Sequence, residues 1–212
     1  MIDLKPIFNE EEREFLRAVQ GWADDGHDSI GQVRKGSGLP YKTHPRRVRD
    51  RLIVAGVRDL VVLGAASTHD ILEDVLPENG DYGPEELYQF ILGLSVFDRE
   101  RREELAEGVL RVTYEVTNVY ENHMYPLFNR RRRKAMEARR LSIISDQGKM
   151  VKNADLIDNT GDMTGFSRGF MAKWKAEKNE LLPLIKPRAA QWQASYELLL
   201  QQEHLDKLSK VD

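Results

Sequence analysis

Residues 58–75, RDLVVLGAASTHDILEDV, constrain the fold more than any other part of the sequence. The first half is almost entirely apolar and lacks β-type alternation, which is typical of a buried helix. This helix is predicted to begin near Val57 and to continue into His69, Asp70, Glu73 and Asp74. At about 100° per residue, these four side chains occupy one side of the helix. A buried helix that ends in ionisable groups requires a physical explanation.

Two interpretations of these four residues are open. In the first, the acids form a solvated helix end and a neighbouring residue satisfies His69. In the second, the carboxylates are partly buried, where they repel one another and are costly to desolvate. A bound cation is then the simplest compensation. Three carboxylates are unfavourable at a helix C-terminus, which favours the second interpretation.

The remaining patterns are also helical and predict an all-α fold. Asn9 is placed to cap a first helix that ends at Gly26, and a second helix runs from about Pro45 to Ala55. The turn-rich stretch 28–43 separates these two helices. Further helices are predicted over 84–92, 98–108, 129–145 and 149–160 and in the last fifty residues, with Gly148 as a separator. The β-like stretch 109–120 alternates poorly and is predicted to be a buried helix with a frayed end.

Length and composition predict a single domain over residues 1–212 in a soluble, cytoplasmic protein. No apolar run approaches the roughly 20 residues that cross a bilayer, and the acidic start lacks a secretion signal. The chain has no cysteine, so any metal must be bound by nitrogen and oxygen ligands. The net charge of −3 argues against a nucleic-acid partner. The apolar helices near the C-terminus either cover the core or join subunits of a homo-oligomer.

A second polar constellation lies in KMVKNADLIDNTGD, residues 149–162. Lys152, Asp155 and Asn159 share one stripe of the predicted helix, whereas its apolar residues supply packing contacts. A carboxylate, an amide and an ammonium group suit a metal together with an anionic ligand. The same pattern is also common on exposed helices, so the surface alternative stays open.

A third segment, SGLPYKTHPRRV, places His44 beside Pro45 in a basic, turn-rich stretch. Together with His69, Asp70 and Asp155, His44 completes a set of two imidazoles and two carboxylates. Such a set suits Mn²⁺, Fe²⁺ or Zn²⁺ with coordination positions left for water and substrate.

The order His44, His69–Asp70 and Asp155 reproduces the H…HD…D pattern of the HD phosphohydrolase superfamily. The segments GQVRKGSGLPYKTHPRRV, HDILED and VKNADLIDN resemble the RelA/SpoT-like hydrolase domain, in particular the small stand-alone alarmone hydrolases. The resemblance covers about residues 15–165, and packing helices without a matching motif follow over about 166–212. It implies an all-α HD-domain helical bundle.

The resemblance also implies a Mn²⁺-dependent enzyme that removes the 3′-pyrophosphate from (p)ppGpp-type nucleotides by attack of a metal-activated water. The implied metal ligands are His44, His69, Asp70 and Asp155. Glu73 and Asp74 match a pair that positions or activates the water. The implied substrate-binding residues are Arg34, Lys35 and Asn159, and Lys152 is a further candidate to neutralise the pyrophosphate.

Several positions depart from the family pattern. Leu156 and Asp158 replace a common arginine and histidine, Asp162 replaces a frequent threonine, and the stretch 76–108 is longer. These departures concern the substrate more than the metal chemistry. The alternatives are therefore a phosphatase or 5′-nucleotidase acting on another nucleotide, and a nucleotide-sensing module without catalysis.

The basic segment NRRRRK, residues 129–134, with Arg139 and Arg140, has two interpretations. It is either a solvated helix face balanced by acidic helices, or a source of one or two arginines that reach the phosphates. Interleaved aromatic residues are lacking, which argues against RNA binding. His27 is expected to have a structural role or to lie at the rim of the pocket.

Overall fold

A computed structural model describes residues 2–163 and 165–208, with side chains described up to residue 203. Its described residues form nine α-helices and no strand, which confirms the all-α prediction. The helices are α1 (Glu10–Ser29), α2 (Thr43–Val54), α3 (Leu60–Thr68), α4 (Pro84–Leu92), α5 (Arg99–Val116), α6 (Arg130–Leu141), α7 (Asp146–Gly161), α8 (Arg168–Leu181) and α9 (Ala190–Leu208). None of the described helices is both long and apolar enough to span a membrane.

Helix α3 lies at the centre of the bundle and packs against α1, α2, α5 and α7. All of its residues except Val61 are buried, as expected for a helix that is apolar on every side. Asp59 caps its first turn by accepting hydrogen bonds from the backbone N–H groups of Val61 and Val62. The core therefore fixes the position of the polar residues that follow α3.

Two glycines bring α3 and α5 into close contact. A Cβ atom on Gly64 would lie 2.7 Å from Cγ2 of Val109, and one on Gly108 would lie 2.6 Å from Cγ2 of Val61. Neither valine can yield easily, because each belongs to the packed interface between the helices. The close approach also brings the hydroxyls of Thr68 and Thr113 to 2.7 Å from each other.

The predicted continuous helix from residue 57 to the acidic end is wrong. Helix α3 ends at Thr68, and a π-helical segment, Ile71–Val75, follows the His69–Asp70 pair. In this segment the Leu76 N–H donates to the Ile71 carbonyl at 2.9 Å, one residue further back than in an α-helix. The π-helical turn keeps Ile71 and Val75 buried. The sequence does not distinguish it from an α-helical turn, because either turn can bury apolar residues four positions apart.

Four predicted helix boundaries also differ from the structure. The helix predicted over 129–145, α6, ends at Leu141. Helix α1 continues through Gly26 to Ser29, because Gly26 provides space for Tyr82 rather than a helix stop: a Cβ there would lie 2.9 Å from the tyrosine ring. Gly148 lies within α7, whose N-terminal cap is Ser145. Helix α2 begins two residues before Pro45.

The structure also tests the predictions for α5 and for the last helices. The separately predicted helices 98–108 and 109–120 form one helix, α5, which ends at Val116 as the frayed end suggested. Helix α9 packs on α7 and α2, and its Trp192, Tyr196 and Leu199 belong to the core. These residues therefore cover the core, and a homo-oligomer stays a prediction.

We expect Gly64→Ala to destabilise the protein by about 1–3 kcal/mol, because the added methyl group overpacks the α3–α5 contact. The matched control is Gly21→Ala in α1, where a Cβ meets no atom within 4 Å. This control should be stabilising by about 0.5–1 kcal/mol because alanine favours the helix. Urea denaturation of both variants measures the effect, and equal changes would contradict the close packing.

Candidate active site

The two histidines and two aspartates predicted as metal ligands converge at the end of α3. Nε2 of His44 lies 3.2 Å from Nε2 of His69, 3.2 Å from Oδ1 of Asp155 and 3.5 Å from Oδ2 of Asp70. Nε2 of His69 lies 3.1 Å from Oδ2 of Asp70 and 3.9 Å from Oδ1 of Asp155. His44 comes from the first turn of α2 and Asp155 from α7, so three parts of the chain build this cluster.

The outer nitrogen of each imidazole is held by a hydrogen-bond acceptor. Nδ1 of His69 donates to the Ala66 carbonyl at 2.9 Å, because a carbonyl oxygen can only accept. Nδ1 of His44 faces the carboxylate of Asp158 at 2.8 Å. In the neutral imidazoles, both Nε2 lone pairs therefore point into the cluster, towards each other and towards two carboxylates.

This donor set requires positive charge at its centre. Burial opposes the charged form of His69, but the charge and hydrogen bond of Asp70 together with the charge of Asp155 outweigh burial and raise the pKa of His69 to about 9. Burial likewise opposes ionisation of Asp70, whereas His69 holds the pKa of Asp70 well below its usual range. Protons can supply this charge, and so can a divalent cation ligated by two nitrogens and two carboxylates. The residues present therefore fit a metal ion.

Glu73 and Asp74 lie beside the cluster in the π-helical segment. The Glu73 carboxylate accepts hydrogen bonds from the backbone N–H of Asn118 at 3.1 Å and from its side-chain amide at 2.9 Å. Burial, and then the nearby charge of Asp70, raise the pKa of Glu73 to about 7. A carboxyl group with such a pKa can exchange a proton near neutral pH.

Asp74 is held by a chain of hydrogen bonds that begins in α1. The Gln32 amide donates to Oδ2 of Asp74 at 2.8 Å, and its oxygen accepts from Nδ1 of His27 at 2.6 Å. Burial and the charge of Asp70 raise the pKa of Asp74. His27 itself is buried beneath Tyr41, with 4.8 Å between the ring centroids, and the structural role expected for it stays a prediction.

Lys152 and Asn159 both contact Asp155 from the same helix. Nζ of Lys152 lies 2.9 Å from Oδ2 of Asp155, and the Asn159 amide donates to Oδ1. Burial opposes the ammonium form, but the charges of Asp155, Glu73 and Asp70 together outweigh burial and raise the pKa of Lys152. Lys152 and Asn159 therefore position Asp155, and both also line the cleft above it.

The predicted pair Arg34 and Lys35 is divided between two environments. Arg34 is only 3% exposed, and its Nε lies 3.0 Å from Oδ2 of Asp162. Lys35 is exposed and lines the mouth of the cleft. The loop that carries Arg34 and Lys35 packs directly against the end of α7. A Cβ atom on Gly36, in this loop, would lie 1.8 Å from the Asp162 carbonyl oxygen.

The cluster opens into a cleft of about 460 Å³ that extends towards α6 and α8. Its far end carries the aromatic side chains Phe166, Phe170 and Trp174. Of the basic segment, Arg130 and Lys134 line this cleft, and Arg130 is paired with Glu177 at 2.6 Å. Arg130 and Lys134 are therefore the members of the basic segment that face the cleft, and a contact with the substrate phosphates stays a prediction.

Three contributors to the site were not singled out by the sequence analysis. The Tyr41 hydroxyl donates to Oδ2 of Asp70 at 2.7 Å, and burial raises the pKa of Tyr41, which keeps this donor protonated. Gln32 and Asn118 hold the two acids of the π-helical segment. Tyr41 and Gln32 lie within the quoted motif at 31–48, but nothing in the residue pattern points to Asn118.

No protein-family model matches the chain, and a search of curated proteins finds no match. Among solved structures, the fold is similar to that of a protein described as a metazoan ortholog of SpoT that hydrolyzes ppGpp and plays a role in starvation responses. The two chains share 21% identity, and the TM-score is 0.63. The match covers 93% of this chain and 98% of the other. This likeness shows a common all-α fold over nearly the whole of both chains.

The Glu73→Gln variant tests how ionisation of Glu73 changes the stability of the metal-free protein. Glu73 keeps its proton to about pH 7 in the folded state but only to about pH 4.5 when unfolded, so ionisation costs stability as pH rises through this window. Glutamine avoids that cost. We expect the stability advantage of the variant to grow by on the order of 1–3 kcal/mol between pH 5 and pH 8. Urea denaturation with a chelator measures it, and a pH-independent difference would contradict the assigned causes.

Proposed function

We propose that the protein is a metal-dependent phosphohydrolase that removes the 3′-pyrophosphate from (p)ppGpp-type nucleotides. The observation that carries this proposal is the convergence of the His44 and His69 Nε2 atoms with the carboxylates of Asp70 and Asp155. The cluster forms the floor of an open cleft, so a substrate phosphate can reach it. A nucleotide substrate would place the protein in the cytoplasm.

His44, His69, Asp70 and Asp155 would hold the cation, which we propose to be Mn²⁺. When bound, a divalent cation of this kind supplies Lewis acidity and lowers the pKa of a coordinated water. The nitrogen and oxygen donors are compatible with Mn²⁺, Fe²⁺ and Zn²⁺ alike. The Tyr41 hydroxyl, which donates to Asp70, would orient that ligand and balance part of its charge.

Glu73 would accept a proton from the attacking water. It lies close to the four proposed ligands without belonging to them, and Asn118 fixes its carboxylate from the opposite side. A proton acceptor is most effective when its pKa is near the working pH, which burial of Glu73 provides. Asp74, held by Gln32, would orient the water or its hydrogen-bond partners.

Cationic groups along the cleft would neutralise the substrate phosphates. Lys152 is a buried ammonium next to Asp155, at a depth where it would face the pyrophosphate and the departing 3′-oxygen. Lys35 is exposed at the mouth of the cleft, and Asn159, which lines the cleft, would contact the ribose. Arg34 would act indirectly, by bracing the loop that carries Lys35 through its contact with Asp162.

Two observations support a nucleotide as the substrate. The aromatic far end of the cleft offers faces on which a base can stack, with the Arg130 guanidinium 5.7 Å from the Phe170 ring centroid. The common fold with a protein described as hydrolysing ppGpp supports the alarmone in particular.

A phosphatase or 5′-nucleotidase acting on another nucleotide is the second candidate. The observation that favours it is the ion pair between Arg34 and Asp162 in the cleft lining, which offsets the charge of the arginine with a carboxylate. A changed balance of charge at this position would alter which base or phosphate is accepted. The metal cluster would serve either reaction.

We expect the Mn²⁺-loaded protein to release pyrophosphate from ppGpp, and Asp70→Ala to abolish this release while circular dichroism shows an unchanged helical content. A panel of nucleotides assayed for pyrophosphate and phosphate separates the candidates. Hydrolysis of a 5′-monophosphate but not of ppGpp would favour the second candidate. Undiminished ppGpp hydrolysis by Asp70→Ala would contradict the metal assignment.

Lys35→Ala tests phosphate recognition at the mouth of the cleft. Because Lys35 would contribute charge to binding rather than to the reaction itself, we expect KM for ppGpp to rise about tenfold with a smaller change in kcat. Lys42→Ala is the matched control, since Lys42 pairs with Asp28 and does not line the cleft. A loss confined to kcat would show that Lys35 acts in the chemical step instead.

A further inference from the structure

We propose that Asp158 is a positioning residue that fixes the orientation and the donor strength of His44 as a metal ligand. This inference rests on the proposed function in one respect, that His44 binds a cation. Asp158 would not touch the cation or the substrate. It would act through the imidazole, from the side opposite the cluster.

The contact between the two side chains is short and shielded from solvent. Oδ2 of Asp158 lies 2.8 Å from Nδ1 of His44. The exposed fraction is 2% for Asp158 and 0% for His44, so water does not compete for this hydrogen bond. Asp158 follows Asp155 by three residues in α7, so one helix supplies both a proposed ligand and the group that orients another.

Arginines compensate for the buried charge of Asp158. Nε of Arg47 lies 2.9 Å from Oδ1, Nε of Arg51 lies 3.5 Å from the same oxygen, and a terminal nitrogen of Arg34 lies 3.4 Å from Oδ2. A buried carboxylate is costly unless it is paired in this way. The pairing lets Asp158 stay ionised at the place where it accepts the Nδ1–H of His44.

The two oxygens of Asp158 therefore have separate tasks. Oδ2 keeps the proton of His44 on Nδ1, which leaves the Nε2 lone pair directed into the cluster. An ionised acceptor also makes the imidazole a stronger donor to a metal, and the loss of such a partner typically costs 10- to 100-fold in metal affinity. Oδ1 accepts from Arg47 and is not the oxygen that lies at Nδ1 of His44.

A purely structural role is the competing explanation, because the same carboxylate ties α2 to α7 through Arg47 and Arg51. The two roles can be separated. Asp158→Asn removes the charge that acts on His44, whereas Arg47→Met removes an ion pair from Oδ1 and leaves the His44 contact in place. Arg47 is 40% exposed in its side chain, so this change is tolerable for the fold.

The experiment compares the Mn²⁺ dissociation constants of the wild type, Asp158→Asn and Arg47→Met, measured by electron paramagnetic resonance of free Mn²⁺ at one pH. We expect Asp158→Asn to weaken binding about 10- to 100-fold, and Arg47→Met to change it less than about threefold. Asp158→Glu, which keeps the charge, should recover part of the loss. Equal losses in Asp158→Asn and Arg47→Met, or no loss in Asp158→Asn, would overturn the inference.

A second measurement needs no variant and so does not depend on whether Asp158→Asn folds. Nitrogen-15 NMR of the histidines in the Zn²⁺-loaded wild type should show His44 with its proton on Nδ1 and its metal bond at Nε2. The reverse assignment would overturn the inference. Mn²⁺ binding that responds to Asp158 without any hydrolysis of ppGpp would contradict only the proposed function.

Discussion

The structure depends on one electrostatic constraint, the meeting of two imidazole nitrogens 3.2 Å apart between two carboxylates. Each outer nitrogen is already committed to an acceptor, so the inner lone pairs cannot turn away from one another. Positive charge at the centre relieves the repulsion. The surrounding helices hold the four groups together in spite of this repulsion, which requires a rigid and well-packed framework.

That framework begins with α3, an apolar helix enclosed by four others. Its glycine contact with α5 brings Thr113 against Thr68, one residue before His69. The π-helical segment then turns Glu73 and Asp74 towards the cleft while Ile71 and Val75 stay in the core. Burial of α3 thus fixes the position of the polar groups, and the π-helical turn directs their side chains towards the cleft.

The all-α fold was predicted from apolar spacing, and the four groups of the cluster from the order of the histidines and aspartates along the chain, although His44 and Asp155 are 111 positions apart. The partners of these groups were harder to predict. Asn118 reaches Glu73 across 45 positions of sequence, and Arg34 pairs with Asp162, 128 positions away. Such pairings depend on tertiary packing. The π-helical segment was missed because its apolar residues have the spacing of an ordinary helix.

Helix α7 and its C-terminal cap residue, Asp162, supply five side chains that serve the cluster, its support and the cleft wall; the other four are Lys152, Asp155, Asp158 and Asn159. A small tilt of this helix as a rigid rod would move all five together and preserve their mutual spacing. Insertion or deletion of a single residue between Asp155 and Asp158 would instead rotate the later side chains by about 100° and separate Asp158 from Asp155. The length of this helix is therefore far less free to vary than that of the loops at either end.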